Sequence, residues 1–446
     1  MKFRLLRIWE TISVSFWFLP MLIILFSIVS ASFFVYIDRL IFIHKPEVFP
    51  KYLMGGATGA RAVLSTIAAS MITVASIVFS ITFVTLGLAS SQLGPRAVRN
   101  FMKSRMNQVV LGAYVSAFIY CLIVMRSVNT QIDTAFIPNV AVLMGMVQAL
   151  INILLLIFFI HNISMAIQAD NVIARISAEF ERKIKETFSK IADEGQKNIR
   201  DCEQEFVDLP YSHSLFAPQS NYLMAINSDL LFSIADRLNL IIKIHFKPGD
   251  FICRNAELME VRSLEQIDQE VSTQLVQTMN YNGHRTGVQD VEFLVLELVE
   301  IACRALSPGI NDPFTAITCI DKLGGIICDF SEFQFPSPYI FDKEQNLRLI
   351  MKTTTFDGFV QAAFNQIIQY AEGKGEILIR IMETFRYAAE AFTEKEHLTP
   401  IVNQADKAMR QAEFSIREPK DREKMKAIFG DLNRLLNVRT ESFSRK

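Results

Sequence analysis

The sequence predicts an α-helical membrane domain of four transmembrane helices, followed by a cytoplasmic α+β domain that is mostly helical with a small β-module. Three observations carry that prediction. Four apolar stretches crowd into the first 165 residues, at about 11–37, 62–90, 106–126 and 135–163, each near or above the roughly 20 residues that a bilayer core requires. Hydrophobic residues make up 51% of the 446, and mean hydropathy is +0.26. That is too high for an ordinary soluble enzyme and too low for a chain that is membrane throughout. The remaining residues combine amphipathic helical spacing with a short run of strand and turn signals.

Lys2, Arg4 and Arg7 precede the first span, Thr11 to Ile37. The span is too long for the apolar core of a signal peptide and is followed by others, so it reads as an uncleaved helix. Pro20 either kinks it or sits near its start. The second span lies in a chargeless stretch from Ala62 to Pro95, between Arg61 and Arg96. Thr66, Ser70, Thr73, Ser80 and Gly87 share one face there, at spacings of three, four and seven. A stripe of small hydroxyls either lines a wet path or lets helices pack closely. The third span is bounded by Arg105 and Arg126, and the fourth carries Gln148 and His161.

Basic residues in short loops set orientation. Arg96, Arg99, Lys103 and Arg105 follow span two, and Arg175, Arg182, Lys183 and Lys185 follow span four. Both termini are therefore expected in the cytoplasm, with the loop basic cluster also suited to anionic lipid headgroups. The first loop, Asp38 to Arg61, carries four basic residues and runs against this rule. With Asp38 counted in that loop, no charge lies within a span, which argues against a proton-coupled transporter or a voltage sensor.

Residues 166–205 read as an amphipathic connecting helix, with Ile173, Ile176, Phe180, Ile184, Phe188 and Ile191 on one face. It is either a stalk or a single linker helix. Residues 206–265 read as a small α/β or barrel-like module. Tyr222–Ile226 and Leu240–Phe246 are strands around a short helix capped by Asn227 or Ser228, and Lys247-Pro-Gly-Asp250 is a turn. The turn resembles those of barrel-sandwich carrier modules. No lysine stands where a lipoyl or biotinyl group attaches, so no cofactor is expected. Residues 266–446 read as a helical domain. Ser307 to Pro313 breaks it, with Asp312 as N-cap and Pro313 at the first helical position.

Arg285, Thr286, Gln289, Asp290, Glu292, Arg304, Asn311 and Asp312 form a polar cluster around that break, with Arg285, Asp290, Arg304, Asn311 and Asp312 as its candidate site residues. They make either a site for an ion or small ligand or a network that fixes the break. A net charge of −1 gives no sign of a nucleic-acid partner. The six cysteines form no C-x-x-C pair, which reads as reduced thiols without a metal. The sequence contains no H-E-x-x-H, G-x-S-x-G, P-loop or dinucleotide fingerprint, so an enzyme is not expected.

Three stretches are distinctive: LSTIAASMITVASIVFSITFVTLGLASSQLGPRAVRNFM from Leu64, HRTGVQDVEF from His284, and RALSPGINDPFTAITCIDKL from Arg304. On these the chain resembles the bacterial family of predicted membrane proteins known as domain of unknown function twenty-two fifty-four, over nearly its whole length. The resemblance implies an integral protein of the bacterial inner membrane with a cytoplasmic C-terminal domain and no settled activity. The expected function is that of a homo-oligomeric, channel-like permeation protein with span two lining the path. The alternative is a non-conducting scaffold or signalling protein whose cytoplasmic domain binds a ligand or partner. Expected partners are membrane lipid, further copies of the chain, and an ion or small molecule.

Overall fold

A computed structural model describes residues 17–44, 56–95, 105–128, 136–190 and 199–443. The chain divides into two compact units, Met1–Val172 and Ile173–Lys446.

In the first unit, α1 (Phe18–His44), α2 (Gly56–Leu93), α3 (Arg105–Ser127) and α4 (Asn139–Ile167) are each long and apolar enough to cross a membrane. Pro20 falls in the first turn of α1, where its missing N–H costs nothing. The described helix therefore runs beyond the expected end of the first span, and residues 11–16 lie outside the described residues. The centre of the unit is α3 rather than the hydroxyl-rich α2. It packs on α1, α2 and α4, and 56% of its apolar window is buried, against 17–22% in the other three. It is also the least apolar span, with hydropathy 2.0, and small or polar residues are tolerated where protein surrounds them. Gly112 permits the closest approach: a Cβ there would lie 2.9 Å from the Pro20 Cα of α1.

With 38 residues, α2 is about 57 Å long. It outruns the ~30 Å hydrocarbon layer even at a steep tilt of about 40°. Its buried face is Ala60, Leu64, Ala68, Met71, Ala75, Val78, Thr85, Ala89 and Leu93.

The second unit takes in α5 (Ala169–Thr187) from Ile173 onward, then β1 (Ser189–Lys190) and α6 (Ile199–Val207). There follow β2 (Tyr211–Phe216), β3 (Asn221–Ile226), α7 (Ser228–Arg237), β4 (Ile241–Ile244), β5 (Phe251–Ile252), β6 (Glu257–Ser263), α8 (Gln269–Gln277) and β7 (Met279–Asn282). Then come α9 (Glu292–Ala305), α10 (Pro313–Asp329), β8 (Phe333–Gln334), β9 (Tyr339–Phe341) and β10 (Leu347–Ile350). Four helices close the chain: α11 (Phe356–Tyr370), α12 (Gly375–Ala391), α13 (Lys395–Ser415) and α14 (Pro419–Phe443).

One sheet has the order β2-β6-β4-β10-β9 and a second the order β5-β3-β7. They share a core of Leu223, Ile226, Ile242, Ile244, Ile252, Met259, Val261 and Leu349, sealed by Leu231 and Ile234 of α7 and Leu275 of α8. The β-module therefore does not close at residue 265. Strands β7, β9 and β10 come from the region expected to be helical, and β10 pairs parallel with β4. Parallel pairing requires a long crossover, so the partner of a four-residue apolar run is not legible from its neighbours in sequence.

The apolar stripe of α5 is buried within this unit at Ile173, Ile176, Phe180 and Ile184, and Phe188 continues it. Phe180 lies 5.5 Å from Phe359 and Phe188 lies 5.3 Å from Phe330, between ring centroids. Helix α9 packs on α10 and α11, α10 on α12, and α12 on α13 and α14.

Candidate functional site

The residue set that comes together most tightly surrounds the turn between β4 and β5. Gly249 adopts φ +98°, a conformation that side chains disfavour. Its N–H donates to the Leu223 carbonyl at 2.8 Å, and Leu223 N–H donates to the Asp250 carbonyl at 2.9 Å. These bonds pin the turn to β3. The loop between β7 and α9 folds over it. Gln289 acts there as a substitute strand partner: its amide donates to the Ile226 carbonyl at 3.0 Å and accepts the Ile226 N–H at 2.8 Å.

Arg285 Nε donates to Asp290 Oδ2 at 2.5 Å, and its Nη2 lies 3.6 Å from Glu292 Oε2. Lys247 Nζ pairs with Glu292 Oε1, and Lys352 Nζ lies 3.2 Å from Asp250 Oδ2. The Asp290 side chain is 2% exposed, so its charge has little water to compensate it. Burial pushes the Asp290 carboxyl up, against the pull of Arg285. For Arg285 burial is the largest single influence and works against the charge, but the bond to Asp290 together with the negative charges of Asp290, Glu292 and Asp250 outweighs it and raises the pKa. Lys183 of α5 feels the same group: burial lowers its pKa, while Glu179 and Asp290 oppose that shift. The pairs are closed on one another, so the arrangement locks the loop 283–290 onto the Gly249 turn.

Of the five candidate site residues expected around the helix break, Arg285 and Asp290 meet directly. Arg304, Asn311 and Asp312 build the α9–α10 junction. Arg304 lies 3.5 Å from Glu300, one turn earlier. Asn311 takes the left-handed φ +48°, which asparagine tolerates. Asp312 caps α10, accepting from Thr315 N at 3.2 Å and Thr315 Oγ1 at 2.5 Å. Lys247, Asp250, Lys352 and Gly249 are absent from the expected cluster. The Lys247-Pro-Gly-Asp250 turn is a visible signal, but its partner loop lies some forty residues on.

In the membrane unit, Thr66, Ser70, Thr73, Ser80 and Gly87 are all exposed. At 100° per residue, this stripe is centred roughly 165° from the buried face of α2. Thr66 and Thr73 hydroxyls donate to the carbonyls of Ala62 and Ala69, both at 2.8 Å, which satisfies their donors without a neighbour. A Cβ on Gly87 would meet nothing within 4 Å. Arg105 is the exposed first residue of α3, whereas Arg96, Arg99 and Lys103 lie outside the described residues.

One correction concerns charge within the spans. Asp38 falls within the candidate span of α1, Phe18–Phe42, and is buried. Its Oδ1 accepts from Val140 N at 3.0 Å and its Oδ2 from Ala141 N at 2.9 Å. Helix α4 has Pro138 at its N-cap and no side-chain cap of its own. The carboxylate of α1 therefore satisfies the first N–H groups of α4 and meets the positive end of its dipole. Among the described residues, no group of three or more His, Cys, Asp or Glu side chains is placed to hold a metal ion.

The family model described as "Predicted membrane protein (DUF2254)" matches residues 13–387. The chain belongs to the DUF2254 family. Among its relatives are an uncharacterised protein of Mycobacterium tuberculosis strain H37Rv, 25% identical over 378 residues, and one of strain CDC 1551, 26% identical over 380. An uncharacterised protein of Mycobacterium bovis is 25% identical over 378 residues. Each match covers 83% of this chain and 72% of the relative. No solved structure matches the chain. As a DUF2254 member with four candidate spans, it is a predicted membrane protein.

Proposed function

We propose that this DUF2254 protein is a homo-oligomeric, channel-like permeation protein of the bacterial inner membrane, with both termini cytoplasmic, and that α2 lines the path. One observation carries the reading: the hydroxyl-bearing face of α2 points away from the helices that bury its other side. In a lone copy this face meets lipid, where Leu or Phe serves better. In a closed ring of copies it meets its symmetry mates or an aqueous path. There the back-bonded hydroxyls present their remaining lone pairs to what passes. The C-terminal unit assembles and gates the ring, and lipid headgroups hold its basic loops.

The test is ion flux through purified full-length protein in planar bilayers. Discrete conductance is expected, with loss on Thr73→Trp and access of water-soluble thiol reagents to cysteines placed at Thr66, Thr73 or Ser80. A silent bilayer from folded protein overturns the reading. The second reading, a non-conducting scaffold with no enzymatic activity that binds a ligand or partner, is favoured by the ionic network at Gly249. It predicts a silent bilayer together with loss of partner binding on Lys247→Ala.

A further inference from the structure

A second polar feature of the membrane unit lies on the helices other than α2. Ser116 falls at the midpoint of α3, eleven residues from either end, or about 17 Å. Around it the polar side chains of three helices converge. Ser27 Oγ of α1 donates to the Ser116 carbonyl at 2.8 Å. Ser116 Oγ donates to the Ala113 carbonyl at 2.9 Å. Gln148 Nε2 of α4 donates to Ser116 Oγ at 3.3 Å. Asn152, 1% exposed, donates Nδ2 to the Ala113 carbonyl at 3.3 Å.

These groups form the floor of a groove of about 280 Å³ between α1, α3 and α4. Phe26, Val147 and Ile151 stand at its mouth, and Phe26 is 74% exposed. The groove therefore opens toward the lipid at mid-depth.

The chemistry of the floor is incomplete. Gln148 has two N–H donors and a carbonyl acceptor, and its described bond uses one N–H. The second N–H and Oε1 remain, at a depth where an unmatched polar group costs several kcal/mol. Ser27 and Ser116 have already committed their hydroxyl protons within the protein. The occupant therefore needs both a donor and an acceptor, and a hydroxyl supplies the two in one group. It must also be uncharged, because no Lys, Arg, Asp or Glu lines the groove among the described residues. A second copy of the chain fits poorly. Its helix is ~10 Å wide, and its own Gln148 is set behind the same apolar mouth. The volume lies just below the range of drug-sized pockets, roughly 300–1,000 Å³, and suits a single chain rather than a two-chain phospholipid.

We propose that this groove binds a neutral, membrane-dissolved lipid bearing a free hydroxyl group, with Gln148 accepting from and donating to that hydroxyl. The proposal is independent of conduction through α2. Full-length protein in phosphatidylcholine vesicles is photolabelled with a hexadecanol carrying a mid-chain diazirine, and with the matching hydrocarbon that lacks the hydroxyl. The alcohol should label peptides containing Phe26 and Ile151 saturably and well above the hydrocarbon. Gln148→Leu should lower that labelling by roughly five- to thirty-fold, the worth of an amide hydrogen bond in hydrocarbon. Ile151→Trp, a substitution at an exposed rim that leaves the amide intact, should block labelling by filling the mouth. Equal labelling by both probes, no effect of Gln148→Leu in folded protein, or cross-links joining two copies through this mouth would each overturn the proposal.

Discussion

Replacing Gly249 with alanine is expected to destabilise the C-terminal unit by about 2–4 kcal/mol, through two separable causes. The backbone sits at φ +98°, and holding an L-residue in a left-handed conformation costs about 1–2 kcal/mol. The added Cβ would lie 2.3 Å from Asp290 Oδ2 and 2.9 Å from Arg285 Nε. Both neighbours belong to a largely buried pair, so the carboxylate must move off its partner. Breaking such a pair outright costs about 3–5 kcal/mol, and a partial displacement adds about 1–2 kcal/mol. Thermal unfolding of the full-length protein in detergent should show the loss as roughly 5–10 °C. A double-mutant cycle isolates the clash. In an Asp290→Ala background the carboxylate is gone and the Arg285 side chain, released from it, can move away from the new Cβ, so the backbone cost dominates and the double variant should be more stable than the sum of the singles by about 1–2 kcal/mol. Additive singles, or a Gly249→Ala protein that melts with its parent, would refute the reasoning.

Two further outcomes follow from side chains placed elsewhere. Asp38→Ala should strand the N–H groups of Val140 and Ala141 at the buried start of α4. The cost is about 2–6 kcal/mol, from roughly 1–3 for each of the two unpaired donors, read as resistance to unfolding in mixed micelles. Asp38→Asn keeps one acceptor and should recover about half; equal loss in the two variants would argue against a capping role. Burial pushes the Asp342 carboxyl up, but hydrogen bonds from the Asn346 backbone and side chain, the Glu344 N–H and Arg348 outweigh it. They hold the pKa at about 2. The folded value lies below the ordinary value of about 3.9, so the contribution is complete above about pH 4 and lost as pH falls toward 2. Asp342→Asn should flatten the acid-unfolding profile in that window, followed by circular dichroism, and an unchanged slope would exclude Asp342 as its source.

Much of the local structure is legible in the chain. Unbroken apolar length marks four spans, because a helix crossing lipid must satisfy its own backbone and bury few charges. The cap at Asp312 is readable from Asp-Pro alone, since capping is a contact three residues long. The five-residue separation of Arg285 and Asp290 makes their pairing a reasonable expectation. The long-range half of the same network is not readable. That Lys247 meets Glu292, and that Gly249 must lack a side chain because Asp290 lies beneath it, depends on β3 bringing two distant turns together.

The sequence by itself determined the class of molecule, the number of candidate spans and the existence of a small-residue face on α2, because these follow from hydropathy and helical period. Tertiary structure decided which face of α2 is buried, that α3 is the hub, and that β10 completes the sheet. It also decided that Asp38 is an interhelical cap rather than a loop acid. Each of these is a choice of partner. A helix or strand pattern states only that a face needs covering, and the covering residue is selected by packing across tens to hundreds of intervening positions.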